Sequence, residues 1–406
     1  MNKQLNEYKI CSRGIWDSTV PGIKFDENGV SNYAKMLDKL IELSPEGEVG
    51  NSYWGNIVDR MKEKGKGKKY DCIIGVSGGT DSSYLLHIAK KIYGLRPLAV
   101  NLDNGWSSEI AVQNIKKITK SLEIDLETYV IDYEEVKAVL RAYMKAGLPW
   151  IDGPTDNAIK SVLFNIADRE GIKFVINGSD FRSEGKQPSE WTYTDSKQML
   201  YLLKKFESVR LKSYPYQTLF DMVNSSLIKK IKDYRPFNHI EYEKEPAQKF
   251  LIKEYGWEYY GGHHHENIFT RFAIGYWMPK KFGIDKRIIT LSAQVLTGQI
   301  SRDHALEMIK HAAYDIDQME KDREYIIKKL DLTKEEFDFI WNKQNNFYWN
   351  YPSYMPLLEK YFKISNSLLR YFFPTPPTIL VEKQIRKNLN LFLILNILSL
   401  NFSLCI

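Results

Sequence analysis

Cysteine is scarce in this 406-residue chain, which contains only Cys11, Cys72 and Cys405. Three thiols cannot build a disulfide framework or a four-thiolate zinc site. Cys72 lies in an apolar run, where a small buried core residue is the simplest interpretation. Residues 1–10 show no apolar stretch of the kind that signal peptides carry. These absences predict a protein of a reducing compartment, the cytoplasm.

The numbers of positively and negatively charged residues are also similar. The formal net charge is +6, with 27% charged and 43% hydrophobic residues, which is typical of a packed globular protein. This mild balance suits an enzyme that handles anionic, phosphorylated substrates, and we expect no nucleic acid as a partner. The length is too great for one ordinary core, so we expect two domains or one domain with additions.

Long hydrophobic runs are missing except at the C-terminus. Residues 391–406 read LFLILNILSLNFSLCI, which is shorter than the ~20 residues that a membrane-spanning helix needs. Lys383, Arg386 and Lys387 precede the run and would suit a surface anchor. We favour a buried element, or a tail without function, over membrane contact.

Short apolar runs alternate with helical patterns in the first half of the chain. The predicted strands cover 70–76, 97–102, 126–131 and 173–176, and the predicted helices cover 82–92, 107–122, 133–146 and 155–170. This alternation predicts an α/β fold, a parallel sheet with helices on both faces. Such sheets bind ligands at the carboxyl ends of their strands.

The remainder of the chain is mostly helical in pattern and rich in aromatic residues. Predicted helices lie at 33–43, 197–209, 219–231, 246–255, 268–282, 301–310, 316–330 and 333–342, and a basic linker is predicted at 62–69. The expected regions are a leader (1–60), the α/β domain (61–195), a helical region that completes the site (196–368) and an apolar tail (369–406).

A glycine-rich loop follows the first predicted strand. It reads Ser77-Gly78-Gly79-Thr80-Asp81-Ser82. Adjacent glycines allow backbone N–H groups to turn inward, and the next helix adds the partial positive charge of its N-terminus. The loop lacks the lysine of a Walker P-loop. It therefore predicts an anion cradle, the alternative being an ordinary turn in which Asp81 or Ser82 caps the helix.

This string resembles the Ser-Gly-Gly-x-Asp-Ser signature of the PP-loop ATP pyrophosphatases. Members of that superfamily cleave ATP to AMP and pyrophosphate while adenylating a carbonyl or carboxyl oxygen. The resemblance implies that the loop binds the pyrophosphate of ATP.

Polar residues also follow two other predicted strands. Asp103 ends the second strand, where it would either contact the adenosine or cap a helix. Asn177-Gly178-Ser179-Asp180 ends the fourth strand and suits Mg²⁺ or substrate, with Arg182 just beyond. Since Mg²⁺ prefers one or two carboxylates with phosphate oxygens, Asp81 and Asp180 are its candidate ligands. We assign Gly178 to the nucleotide, and Asn177 and Arg182 to the substrate.

A second concentration of polar residues is GGHHHENIFTRF at 261–272. Three adjacent histidines cannot all point one way, so the triplet alone does not predict a zinc site. His264 and Glu266 are candidates for an acid–base pair, and His265 and Arg271 for holding a sugar nucleotide. The alternative is a polar loop that caps a helix.

Three strings together resemble the N-acetyl sugar amidotransferases of surface-polysaccharide (LPS or O-antigen) biosynthesis. They are YKICSRGIWDSTVPGIKFDENGVSNY, IIGVSGGTDSSYLLHIA and GGHHHENIFTRFAIGYWMPKKFGIDKR, and the resemblance covers about residues 5–365. It implies that ATP adenylates the acetamido oxygen of a nucleotide-linked sugar, and that ammonia displaces AMP to leave an acetamidino group. It also implies that a separate glutaminase supplies the ammonia, working with a cyclase-like channel subunit.

The leader departs from that family's pattern. Many relatives carry two Cys-x-x-Cys pairs there, spaced for zinc. Only Cys11 remains in this chain, and Gly14, Ser31 and Ala34 occupy the other three places. We therefore expect no zinc.

Two further classes stay open from the sequence. One is a tRNA-modifying PP-loop enzyme, which would need an RNA-binding module and usually a reactive cysteine near the site. Cys72 lies inside a strand, and no basic, aromatic RNA module is evident. The other is a non-catalytic nucleotide-binding scaffold, against which the complete loop with its carboxylates argues.

Overall fold

A parallel sheet of five strands forms the centre of the protein. The computed structural model describes residues 8–262 and 265–360. The strands are β1 (Cys72–Gly75), β2 (Pro97–Asp103), β3 (Leu126–Val130), β4 (Phe174–Ile176) and β5 (Lys232–Tyr234). Their order is β3-β2-β1-β4-β5. The order reverses between β1 and β4, and ligands bind in the crevice outside the carboxyl ends at such a point.

Helices cover both faces of this sheet. Those of the first half are α1 (Asn32–Leu43), α2 (Gly47–Lys64), α3 (Thr80–His87), α4 (Glu109–Leu122), α5 (Tyr133–Ala146) and α6 (Gly153–Arg169). Successive side chains of a strand point to opposite faces. Accordingly Ile74 packs in a buried cluster with residues of α2, α3 and α4, whereas Ile73 packs in another with residues of α6. The predicted α/β class is confirmed.

The second half is helix-rich, as predicted. Its α-helices are α7 (Phe181–Glu184), α8 (Ser189–Thr192), α9 (Ser196–Phe206), α10 (Leu219–Val223), α11 (Lys244–Tyr255), α12 (Ile268–Phe272), α13 (Arg287–Leu296), α14 (Arg302–Lys310), α15 (Ile316–Lys329) and α16 (Lys334–Asn342). Helices α3, α10 and α12 continue as π-helices over Ile88–Ile92, Asn224–Ile228 and Ala273–Phe282.

Several elements differ from the sequence-based expectation. The helix predicted at 219–231 ends at Ile228, and the fifth strand, β5, follows it. Helix α2 was not predicted, and it extends two residues beyond position 62, where the basic linker was expected to begin. Helix α13 also was not predicted, because its sequence RIITLSAQVL is rich in β-branched residues that lower helix propensity.

The leader packs around the start of α1. Ser31 caps this helix by accepting a hydrogen bond from the Ala34 N–H at 3.1 Å, and its own N–H donates to the buried Cys11 Sγ at 3.2 Å. Gly14 lies against Trp16, whose ring is 2.5 Å from the place that a Cβ on Gly14 would take. Three of the four positions at which many relatives carry cysteines, Cys11, Ser31 and Ala34, thus meet at the start of α1.

No helix in the part of the chain that the structure describes combines the length and the apolarity needed to cross a membrane. The apolar run at 391–406 lies outside the described residues.

His239 should make the stability of the fold depend on pH. Burial, with the charge of Arg182, lowers the pKa of His239 from 6.5 to about 4. The unfolded chain therefore binds more protons between these two values, so stability is lost as the pH falls through this window. We expect a loss on the order of 1 kcal/mol between about pH 7 and about pH 5, reduced by the partial exposure of the ring.

Thermal unfolding of the wild type and of His239→Gln, measured across that pH range, tests this expectation. The variant should show a smaller fall, because glutamine does not titrate. The matched control is His304→Gln, at an exposed position. Equal pH dependence in all three proteins would contradict the assignment.

Candidate functional site

The Ser77–Ser82 loop joins β1 to α3 at the carboxyl end of the central strand. Gly78 has φ +79°, a left-handed conformation that favours glycine. A Cβ at this position would lie 2.2 Å from the carbonyl oxygen of Ala111. The loop therefore packs directly against the backbone of α4, and only glycine fits at its turning point.

The carbonyl of Gly78 is held by two donors from other parts of the chain. It accepts from Trp257 Nε1 at 3.1 Å and from Asn114 Nδ2 at 3.3 Å. Asn114 is fully buried and also exchanges two 2.8 Å hydrogen bonds with the backbone of Glu258. The loop is thus fixed by α4 and by the segment after α11.

Removing the indole donor should loosen this fixation. In Trp257→Phe the Gly78 carbonyl keeps only Asn114, so we expect a loss of about 1 kcal/mol of stability. The loop amides should also exchange faster with deuterium. The matched control is Trp54→Phe, because Trp54 is equally buried and its Nε1 has no hydrogen-bond partner in the described residues. Equal exchange rates in the two variants would count against the role of Trp257.

The serines of the loop bond to the loop itself. Ser82 Oγ accepts from the Ser77 N–H and donates to the Gly79 carbonyl, both at 3.3 Å. Ser77 Oγ accepts from the Gly79 N–H, also at 3.3 Å. Bonds of this length are at the weak end of the range, so a stronger acceptor can displace them. The N-cap of α3 is Gly79, with no side-chain cap. Hence neither Asp81 nor Ser82 caps the helix.

Asp81 lies in the first turn of α3 and turns towards α11. Its carboxylate accepts from the Tyr242 hydroxyl and from Lys244 Nζ, the latter at 3.1 Å. Burial would lower the pKa of Lys244, but the carboxylates of Asp81 and Glu184 raise it above its ordinary value. A fixed positive charge therefore lies beside the loop, where it would favour an anion.

The turn after β4 lies against Asp81, because β4 is the neighbour of β1 in the sheet. A Cβ on Gly178 would be 3.0 Å from the backbone of Asp81. Asp180 caps α7: one oxygen accepts from the N–H groups of Arg182 and Ser183 at 2.6 and 2.8 Å, and the other accepts from the Ser183 hydroxyl. Burial raises the pKa of Asp180. Of the two predicted Mg²⁺ ligands, Asp81 is the more accessible.

Three other candidates mainly support the backbone or other elements. Asn177 Oδ1 accepts from the Ser179 N–H at 2.9 Å. Arg182 is 6% exposed and pairs with Glu46 at 3.1 Å. Asp103 accepts from the Gly105 N–H at 2.8 Å and so shapes a turn, whereas α4 has Ser108 as its N-cap.

Residues 265–268 pair with the chain that follows β2. The Ser108 N–H donates to the Glu266 carbonyl at 2.8 Å, and the Ile268 N–H donates to the Trp106 carbonyl at 2.9 Å. This pairing brings Glu266 to the loop, since its Oε1 lies 3.5 Å from the place of a Cβ on Gly79.

Two of the predicted sugar-binding residues in 261–272 contact other parts of the chain. His265 stacks on Tyr314 with ring centroids 5.1 Å apart, and Arg271 forms a double ion pair with Asp322, both bonds being 2.7 Å. Asn267 caps α12, so the loop does cap a helix. His264 lies outside the described residues.

Several residues around the loop were missed by sequence reasoning. The Tyr260 hydroxyl accepts from the Thr80 N–H at 3.3 Å, and Gln248 donates to the Thr80 hydroxyl at 3.1 Å. Buried Lys186 lies near Asp180, and its pKa is lowered to about 7 by burial and by the charge of Arg235. None of these belongs to a recognisable motif. For Tyr260 and Gln248 the only signal in the sequence is the density of tyrosine and lysine in 242–260, and Lys186 lies outside that stretch.

A divalent cation that shares phosphate oxygens with the protein needs few protein ligands. Within the described residues no three or more His, Cys, Asp or Glu side chains are grouped to hold a metal ion alone. The Asp81 carboxylate at the loop fits a Mg²⁺ ion that is held chiefly by phosphates.

Comparison with known proteins gives one family match and several weaker likenesses. Residues 266–365 match the family described as LPS biosynthesis protein WbpG-like, C-terminal domain. An uncharacterized protein of Methanocaldococcus jannaschii is 29% identical over 120 residues, which are 29% of this chain and 41% of that protein. The chain thus matches about two fifths of that relative's length.

Two solved structures show a distant likeness. An NH3-dependent NAD synthetase from Campylobacter jejuni, in complex with nitrate, is 17% identical, with 49% of this chain and 84% of that chain covered and a TM-score of 0.25. An NMN synthetase from Francisella tularensis is 16% identical, with 58% and 94% covered and a TM-score of 0.28. Because both TM-scores are low, we assign the fold from the five-stranded sheet of this chain and not from these two structures.

Proposed function

We propose that this chain is an ATP-dependent amidotransferase that converts the acetamido group of a nucleotide-linked sugar into an acetamidino group, in LPS, O-antigen or related surface-glycan biosynthesis. The observation that carries the proposal is the Ser77–Ser82 loop at the carboxyl end of β1, with Asp81 and Lys244 beside it. The match of residues 266–365 to an LPS biosynthesis domain supports the glycan context.

The loop would hold the pyrophosphate of ATP. Within the residues that the structure describes, the N–H groups of Ser77, Gly79 and Thr80 bond only to hydroxyl oxygens at 3.3 Å. Phosphate oxygens are stronger acceptors and would be favoured further by the N-terminus of α3 and by Lys244. Mg²⁺ would neutralise charge on the phosphates. Its protein ligands would be Asp81 and, behind it, Asp180.

The reaction balances without an oxidant or reductant. The acetamido oxygen attacks the α-phosphorus of ATP, a P–O bond forms, and pyrophosphate leaves. Ammonia then adds to the activated carbon, the C–O bond to AMP breaks, and the amidine keeps a proton. Glu266 lies close enough to the loop to accept a proton in the second step, with His264 as its proposed partner. We propose that His265, Arg271, Asn177 and Arg182 shape the sugar side of the site.

The ammonia would come from a separate glutaminase acting with a cyclase-like channel subunit. This part of the proposal depends on the resemblance of the three sequence strings.

Incubation with ATP, Mg²⁺, ammonium and a panel of N-acetylated sugar nucleotides tests the proposal. Mass spectrometry should detect the small decrease in mass that accompanies exchange of an amide oxygen for nitrogen, together with AMP and pyrophosphate in equal amounts. Reactions without ammonium and with non-acetylated sugars are the controls. AMP formation that depends on tRNA but not on any sugar would contradict the proposal.

A further inference from the structure

The helix that leads into β5 exposes three large apolar side chains and buries two serines. It comprises α10 and its π-helical continuation, residues 219–228. Ser225 and Ser226 are buried, with 7% and 6% exposure. Phe220, Val223 and Ile228 are 76%, 43% and 74% exposed. Helical spacing puts these three on one side, opposite to the serines. A helix that only covered the core would have the reverse pattern.

A basic groove adjoins this apolar face. Leu227, Ile228 and Phe174 line it together with six cations: Arg60, Lys64, Lys173, Lys229, Lys230 and Lys232. Lys229 pairs with Asp168 at 2.7 Å, whereas within residues 8–262 and 265–360 the other five cations form no ion pair. The acidic residues next to two of them, Asp59 and Glu63, do not line the groove.

The cations of the groove repel one another. Burial and the charge of Arg60 both lower the pKa of Lys232. Such an arrangement costs stability in the isolated protein. An anionic surface laid over the groove would remove that cost.

A ligand bound at the groove would leave the candidate active site free. Lys173 precedes β4 and Lys232 begins β5, so the groove lies at the amino ends of these strands. The Ser77–Ser82 loop lies at the opposite, carboxyl edge of the sheet. Lys68 donates to the Gly171 carbonyl at 2.7 Å, which brings the basic stretch 62–69 to the same edge as the groove.

We propose that these eight residues form a docking face for an anionic lipid bilayer: Phe220, Val223 and Ile228 with Arg60, Lys64, Lys173, Lys230 and Lys232. The apolar side chains would enter the boundary between headgroups and acyl chains, and the cations would meet lipid phosphates. A nucleic acid would use the cations but would leave the exposed aliphatic side chains of Val223 and Ile228 in water. The proposal does not depend on which reaction the enzyme catalyses.

Flotation of the full chain with vesicles tests this face. We expect binding to phosphatidylcholine vesicles that contain about one third phosphatidylglycerol, little binding to phosphatidylcholine alone, and release by salt. Phe220→Ser/Ile228→Ser and Lys64→Glu/Lys230→Glu should each weaken binding by more than roughly tenfold. Phe339→Ser/Lys334→Glu, two exposed positions on α16, is the matched control and should bind like the wild type.

All of these proteins keep the same C-terminal residues, so any contribution of the apolar run at 391–406 cancels. Unchanged unfolding temperatures and AMP formation would show that the variants are folded. Equal vesicle binding by wild type and variants, or none by the wild type, would overturn the proposal. The proposal would also be overturned if sedimentation velocity showed that the wild type self-associates and the variants do not. The face would then join two copies of the chain.

Discussion

Replacing Asp81 by asparagine is expected to reduce AMP formation by at least roughly a hundredfold. The carboxylate lies in the first turn of α3, where it accepts hydrogen bonds from Tyr242 and Lys244. The variant keeps the size of the side chain and removes its charge, and with it the proposed ligand of Mg²⁺. Lys244 would lose its ion pair with Asp81, so we also expect a loss of about 1–3 kcal/mol in unfolding free energy. AMP and pyrophosphate release measure the first effect, and chemical denaturation the second.

Asp132→Asn is a suitable control for this experiment. Asp132 caps α5 by accepting from the Glu134 N–H at 2.9 Å, a role that asparagine fills equally well. Its AMP formation should match that of the wild type. If Asp81→Asn kept full turnover while remaining folded, the assignment of the Ser77–Ser82 loop to ATP would be wrong.

Replacing Gly78 by alanine is expected to have the second large effect. A Cβ would collide with the Ala111 carbonyl 2.2 Å away, and the left-handed φ adds about 1–2 kcal/mol for any residue with a Cβ. The loop would have to move away from α4, which would also break its bond to Trp257. We expect ATP affinity to fall by more than roughly tenfold, because the loop amides would no longer converge. Isothermal titration calorimetry measures this.

Gly94→Ala separates the two causes of that effect. Gly94 has φ +62°, and a Cβ there would meet no atom within 4 Å. This variant should therefore show the backbone cost alone, as reduced stability with unchanged ATP affinity. If Gly78→Ala behaved in the same way, the close packing of the loop on α4 would have no bearing on nucleotide binding.

The fold was predictable because its signals are local. The buried run at Cys72–Gly75 and the helical periods on either side of it indicate a parallel sheet without knowledge of any distant contact. β5 was missed because Lys232–Tyr234 has only three residues and two of them are charged. Helix α2 does carry a signal, since Trp54, Ile57, Val58 and Met61 are buried at helical spacing, but the basic stretch beyond it suggested a linker.

The candidate site was predictable only in part. The sequence identifies the Ser77–Ser82 loop, whose function stays a prediction. No recognisable motif marks Tyr242, Lys244 or Tyr260, which reach the loop from 161 to 180 residues away. Nor could the sequence distinguish a cation available to substrate from one already paired. Arg271 and Arg182 are both paired with carboxylates in the structure, whereas a sequence shows only their charge.

The hydrogen bond from Trp257 to Gly78 has a consequence for synthesis of the protein. A nascent chain that has emerged as far as residue 195 already contains the complete loop sequence and four of the five strands. It still lacks the indole that holds the loop and the strand that completes the sheet. The loop can therefore gain this hydrogen bond only after residue 257 has left the ribosome. A product terminated before that residue would carry the motif without this constraint on its shape.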